Sequence, residues 1–189
     1  EKRREEAIQH FRERGLYVEW MFGINAEATG LITTKPYRSD DPSLGFLLPP
    51  RKVGCFLSHY MAWTICNHLD DDPIMIVEDD ADFPEDWIER VQLALEHVPE
   101  DADMLYIGNC NCADKPKDQI SGEIFEVRYP FCTHAYVVWK KALPVLLASQ
   151  RGELSAPIDL SLYYKSYPKL RVYTVLPRIV AQRGTPLSP

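Results

Sequence analysis

One short segment constrains this chain more than any other. Pro73-Ile74-Met75-Ile76-Val77 is an unbroken apolar run that ends directly in Glu78-Asp79-Asp80. A run with β-branched members and no polar alternation is how a central parallel strand reads when both its faces are covered. The segments around it are helical. Val53 to Leu69 is apolar around most of its circumference, which marks a buried helix. Ile88, Val91, Leu95 and Val98 form the stripe of another, with Asp82 as its cap and Pro84 in its first turn. Helices and strands that alternate in this way define an α/β fold.

The rest of the chain extends the pattern. Residues 1 to about 15 read as a helix closed by Gly15, and Tyr17 to Phe22 as a strand. Asn25 to Pro50 has little periodicity and marks a long loop, a length that is often functional. Further strands are expected at Met104–Ile107, Ile124–Val127, Thr133–Val138 and Leu170–Val175. Short helices are expected over Lys140–Gln150 and from Pro157-Ile158-Asp159 to about Lys165, and residues 109–122 form a polar loop. No repeat or linker divides the 189 residues, so one domain over 1–189 is expected.

Charge narrows the function classes. The net charge is −7, which argues against a nucleic-acid partner. Nine of the 28 acidic residues fall between Asp70 and Asp86, so the cluster and not the total needs explaining. Asp70-Asp71-Asp72 read as a solvated turn, and Asp82, Glu85 and Asp86 as a helix start. Five cysteines form no even ladder, and reduced thiols are the simpler reading. Cys110 and Cys112, with Cys132 and His134, make a minor candidate for a metal site. No apolar run is long enough for a membrane span, though peripheral membrane contact stays open. The chain opens on Glu1-Lys2-Arg3-Arg4 with no signal-peptide pattern, which favours a cytoplasmic compartment, or the secretory pathway if a segment precedes it.

Glu78-Asp79-Asp80 carries the strongest chemical signal. Ligands of open α/β sheets bind beyond the C-terminal ends of the strands. Carboxylates there suit Mg²⁺ or Mn²⁺, which take one or two protein carboxylates and complete their shell with water and phosphate oxygens. The competing reading is an acidic turn that caps the next helix. Ser58 and His59 adjoin a buried helix, where Ser58 can be an N-cap and His59 a satisfied core histidine. No G-x-S-x-G, G-x-G-x-x-G or Walker A pattern occurs.

Taken together and in order, these residues resemble glycosyltransferase family 25, the group of bacterial lipooligosaccharide galactosyltransferases and procollagen galactosyltransferases. Gly54-Cys55-Phe56-Leu57-Ser58-His59 is similar to the family's G-C-x-x-S-H segment, and Ile74 to Ala81 to its strand running into E-D-D. Asp103 to Gly108, Thr133 to Val138, Pro157-Ile158-Asp159 and Val175 to Gln182 resemble later family segments in the same order. The resemblance implies a Rossmann-like GT-A domain with a mostly parallel central sheet. It also implies a UDP-sugar or similar nucleoside-diphosphate sugar donor, Mn²⁺ or Mg²⁺, and inversion at the anomeric carbon. The family's opening strand would precede residue 1.

On that basis Asp80, with Asp79, is expected at the metal. Glu78 and Asp159 are the candidate catalytic carboxylates, with Asp159 as base toward an acceptor hydroxyl. Ser58, His59, Asp79 and Tyr136 are expected on the donor side. The acceptor is expected to be a glycan or a hydroxylated protein. Two alternatives stay open: a metal-dependent phosphohydrolase, disfavoured by histidines without H-x-H or H-x-x-x-H spacing, and a non-catalytic binding module of the same fold.

Overall fold

The computed structural model describes residues 2–29, 48–110, 119–128, 130–152, 154 and 156–183. Most of the expected long loop (residues 30–47) and Cys112 lie outside the described residues.

Five helices, α1 (Lys2–Glu13), α2 (Pro50–Cys66), α3 (Trp87–His97), α4 (Leu143–Ser149) and α5 (Ile158–Lys165), pack on the two faces of one sheet. The strands are β1 (Ile74–Val77), β2 (Ala81–Asp82), β3 (Met104–Gly108), β4 (Gln119–Ser121), β5 (Ile124–Glu126), β6 (Ala135–Val138), β7 (Val172–Val175) and β8 (Ala181–Gln182). Six form the main sheet in the order β1-β6-β3-β7-β5-β4, while β2 and β8 form a separate antiparallel pair. The period of two along β3 separates the cores. Leu105 and Ile107 join Ala7 and Phe11 of α1 and Trp87, Val91 and Ala94 of α3. Met104 and Tyr106 join Phe56 and Trp63 of α2, Leu143 and Leu146 of α4, and Leu162 of α5. The mixed α/β class is therefore as expected.

The mostly parallel sheet is not. Among the described residues, only β3 and β7 pair in parallel, and every other ladder in the sheet is antiparallel. Among the described residues β1 is also an edge strand, bonded to β6 alone, whereas β3 is central and buried along its whole length. The apolar run of β1 arises because Met75 and Val77 meet one core and Ile74 and Ile76 the other. Apolar sequence reports that both faces are covered and says nothing of how many strands lie alongside. Yet β1, β3 and β7 all run in one direction, because each of β1 and β3 is antiparallel to β6 and β7 is parallel to β3. Their C-terminal ends gather at one edge of the domain, where β6 begins.

Local expectations change as well. Tyr17 to Phe22 joins no ladder. It instead lays Trp20 on the core and holds Trp20 and Phe22 under the Arg4 guanidinium. Asp82 lies in β2, and α3 begins only at Trp87 after Asp86, which makes no side-chain cap bond. Asp70, Asp71 and Asp72 form the exposed turn that was expected. Cys110 and Cys132 form a disulfide with a Cα–Cα distance of 5.6 Å, whereas Cys55 and Cys66 are free. The reading of reduced thiols is corrected for that pair. The end of β3 and the start of β6 are neighbours in the ladder, and this brings together cysteines 22 residues apart.

Candidate active site

The site forms because β1 runs antiparallel to β6. That direction places Glu78, just past β1, beside Thr133 and His134, just before β6. The Glu78 amide donates to the His134 carbonyl at 2.8 Å. Thr133 Oγ1 donates to Glu78 Oε1 at 2.8 Å, and His59 Nε2 lies 3.1 Å from the same oxygen. Parallel pairing would have carried Glu78 toward the far end of β6.

His59 comes from α2, where helical spacing sorts the glycine-to-histidine segment into two stripes. Cys55, His59 and Trp63 recur at i, i+4 and i+8 on the stripe that faces Glu78 and Tyr136. Gly54 and Ser58, also four apart, face the segment after Phe22. Ser58 Oγ accepts from the Ile24 amide at 2.8 Å and donates to the Gly54 carbonyl at 2.7 Å. A Cβ on Gly54 would stand 2.2 Å from the Ile24 carbonyl oxygen, so only glycine admits this approach. Ser58 is therefore a mid-helix clamp on residues 23–25. It is not an N-cap, because α2 begins eight residues earlier at Pro50.

The hydrogen bonds around His59 run in one direction. Trp63 Nε1 can only donate, and it lies 2.8 Å from the Tyr136 hydroxyl oxygen. The hydroxyl proton therefore points to His59 Nδ1 at 3.0 Å, and the imidazole proton sits on Nε2, directed at Glu78. The relay is Trp63 to Tyr136 to His59 to Glu78, and Trp63, Tyr136 and His59 are all buried. Burial alone would push the Glu78 carboxyl up. The hydrogen bonds from His59 and Thr133 outweigh it and hold Glu78 below its ordinary value. Cys55 behaves in the opposite way. Burial, then the Glu78 charge, pushes its thiol up to about 12, so it stays protonated at neutral pH, although it lies within 4.8 Å of His59 and Glu78.

Asp79 and Asp80 face different partners. Arg3 of α1 reaches across to Asp79 through Nε at 2.6 Å and through Nη2 at 2.7 Å, and the same Nη2 lies 3.6 Å from Asp80 Oδ2. Gln182 Nε2 donates to Asp80 Oδ2 at 3.1 Å, a contact made by the β2–β8 pair, which also bonds the Arg183 amide to the Asp80 carbonyl at 2.8 Å. Asp80 Oδ1 is buried and has no hydrogen-bond partner among the described residues. Burial pushes the Asp80 carboxyl up, and the neighbouring Glu78 and Asp79 charges add to this. A buried carboxylate oxygen with no donor, beside two further acidic side chains, is what a hard divalent cation would complete. Asp80 Oδ1 is thus the oxygen of the triplet at which Mg²⁺ or Mn²⁺ would be held.

Asp159 sits in the first turn of α5, where Oδ1 accepts from the Leu160 amide at 2.9 Å. Its charge is felt at Cys55, Tyr106 and Tyr167, which places it on the α2 side of the sheet, but it does not join the His59–Glu78 network. Five of the seven residues singled out in the sequence, His59, Tyr136, Glu78, Asp79 and Asp80, thus lie in one connected cluster, and Ser58 and Asp159 flank it. Thr133, Trp63, Gln182 and Arg3 were missed as site residues. Trp63 was recoverable from the i+4 spacing after His59, whereas Arg3 and Gln182 arrive from opposite ends of the chain and leave no local signal.

With these ordered segments in one place, the chain is recognised as a member of glycosyltransferase family 25, whose sequence model, described as an LPS biosynthesis protein, matches residues 1–162. Among curated proteins it is 28% identical over 135 residues to a probable inactive glycosyltransferase 25 family member 3 of Bos taurus, covering 68% of this chain and 23% of that protein. It is 27% identical over 150 residues to procollagen galactosyltransferase 1 of Danio rerio, covering 75% of this chain and 24% of that protein. A glycosyltransferase 25 family member of Anopheles gambiae is 25% identical over 184 residues, covering 88% of this chain and 30% of that protein. The chain thus spans between a fifth and a third of the length of these relatives.

Proposed function

We propose that this chain, as one Rossmann-like GT-A domain over 1–189, transfers a hexose, galactose or a related sugar. The donor is a nucleoside-diphosphate sugar such as a UDP-sugar. The acceptor is a hydroxyl of a glycan, a lipooligosaccharide or a protein, and the anomeric carbon inverts. Family membership supports the reaction class. The observation that carries the site is the buried, unpartnered Asp80 Oδ1 at the C-terminal edge shared by β1, β3 and β7.

Asp80, with Asp79, would hold Mn²⁺ or Mg²⁺, which would supply positive charge against the donor diphosphate. Glu78 is a positioning residue here. Kept ionised by His59 and Thr133, it is a weak base, and it fixes the backbone that presents Asp79 and Asp80. Asp159 accepts the acceptor hydroxyl's proton, since among the described residues its carboxylate is bonded to its own helix turn and to no other side chain. Ser58 and Tyr136 act through structure, Ser58 by clamping residues 23–25 and Tyr136 by orienting His59.

A second reading, a non-catalytic module, has one observation in its favour. Arg3 already neutralises Asp79, the role a cation would take, though its side chain is 69% exposed and free to swing away. Thermal unfolding with UDP-galactose, with and without Mn²⁺, separates the two readings. Transfer predicts stabilisation by the donor that requires Mn²⁺ and disappears in Asp80→Asn, with turnover falling by at least ~100-fold. Equal stabilisation of Asp80→Asn and the unsubstituted chain would sink the metal role.

A further inference from the structure

Beside the acidic site, but separate from it, lies a second group of potential ligands. A ring nitrogen of His134 and the sulfurs of Cys110 and Cys132 all lie within 4.8 Å of one another. His134 is 1% exposed. Its Nε2 lies 3.2 Å from the Val180 carbonyl oxygen, which can only accept, so the ring proton is on Nε2 and Nδ1 is a bare lone pair. That Nδ1 is buried and has no hydrogen-bond partner among the described residues. The disulfide sulfurs carry no proton and cannot provide one. Cys110 Sγ stands 3.5 Å from Gln182 Oε1, a contact that becomes a hydrogen bond only when the sulfur is protonated. The oxidised bridge therefore leaves a buried lone pair unanswered.

We propose that Cys110, Cys132 and His134 form a zinc-binding site in the reduced chain, and that the disulfide is the metal-free, oxidised state of the same three residues. Two thiolates and a neutral imidazole are a soft donor set suited to Zn²⁺, with water in the fourth position, whereas the hard carboxylates of Asp79 and Asp80 suit Mg²⁺ or Mn²⁺. The Nε2–H to carbonyl bond is the outer contact that fixes the tautomer of a metal-ligating histidine. The redox step is balanced. Two equivalents of a small-molecule thiol reduce the Cys110–Cys132 bond, giving two protein thiols and one external disulfide. Zn²⁺ then displaces two thiol protons to solvent as two Zn–S bonds form. Either cross-link holds the end of β3 against the segment before β6 that carries Thr133.

The test uses the full chain. It is reduced with a phosphine, checked for an unchanged far-ultraviolet circular dichroism spectrum, and titrated with Co²⁺ as a spectroscopic stand-in for zinc. The expected result is a sulfur-to-cobalt charge-transfer band that saturates at one thiolate-bound Co²⁺ per chain and is displaced by Zn²⁺. The band is absent from the oxidised chain and from Cys132→Ser and is retained in Cys66→Ala. His134→Gln lowers the affinity at least ~10-fold, the loss that even an outer partner of a metal ligand costs. No band in the reduced, folded chain overturns the proposal, as does equal binding by Cys132→Ser. Loss of the fold on reduction overturns it too, since both states require the same fold. None of these outcomes depends on the acidic site or on sugar transfer.

Discussion

Tyr136→Phe tests the directional relay with little change in volume. The substitution removes one oxygen from a fully buried side chain, leaving Trp63 Nε1 without an acceptor and His59 Nδ1 without a donor. A buried polar group left unpaired costs about 1–3 kcal/mol, so the two together cost about 2–6 kcal/mol. For a chain of this size, 3 kcal/mol lowers the thermal midpoint by about 6–12 °C. Urea unfolding followed by tryptophan fluorescence measures the loss. Repeating the substitution in a Trp63→Phe background isolates the indole's share. With no indole N–H to strand, Tyr136→Phe should cost about 1–2 kcal/mol less there. Nitrogen-15 NMR of the histidines adds a chemical readout, because His59 should leave its single Nε2–H tautomer once Tyr136 no longer fixes it. Equal cost in both backgrounds, with the His59 tautomer unchanged, refutes the relay.

Two further outcomes follow from the same geometry. Gly54→Ala gains about 1 kcal/mol of helix propensity, yet its Cβ meets the Ile24 carbonyl and displaces the residues clamped by Ser58. Overpacking and the lost hydrogen bond leave a net destabilisation of about 1–3 kcal/mol, measurable as a lower urea midpoint, and a stabilised variant contradicts the close approach. Thr133→Val removes one of the bonds to the Glu78 carboxylate and should cost about 1.5–3 kcal/mol at neutral pH. Because the folded state holds Glu78 below its ordinary value of 4.5, that stabilisation is present above 4.5 and is lost as the pH falls through the folded value. Denaturant midpoints of the variant and the unsubstituted chain should therefore converge as the pH falls below 4.5, and a constant gap across the range rules out the ionised-carboxylate account.

The legible parts of the site were those encoded by spacing along one element. The acidic triplet directly follows an apolar run and reads as a site from sequence alone, whereas the stripe of Cys55, His59 and Trp63 is encoded in helical spacing but gains its meaning only from Glu78 and Tyr136. Asp82 misled because an aspartate shortly before an apolar periodic stretch is a common cap signal, yet pairing with Ala181 drew it into β2. The cysteines misled because their separation in sequence says nothing about which strand ends meet. Thr133 was visible as part of a segment but not as a partner for Glu78, since that contact exists only once the direction of β6 is known.

By itself the sequence determined the class of fold, the helices and most strands, the acidic cluster and the family resemblance. These depend on local periodicity, on composition and on the order of short segments, all of which survive without knowledge of tertiary contacts. Tertiary structure alone decided the strand directions, the edge position of β1, the Cys110–Cys132 bridge and the reach of Arg3 and Gln182 to the carboxylates. Each of these is a contact between residues far apart in the chain, set by which faces and edges must be covered together. The acidic triplet was readable as a row of charges. Its division into a locked Glu78, an ion-paired Asp79 and an Asp80 with one unanswered oxygen came from neighbours that only folding supplies.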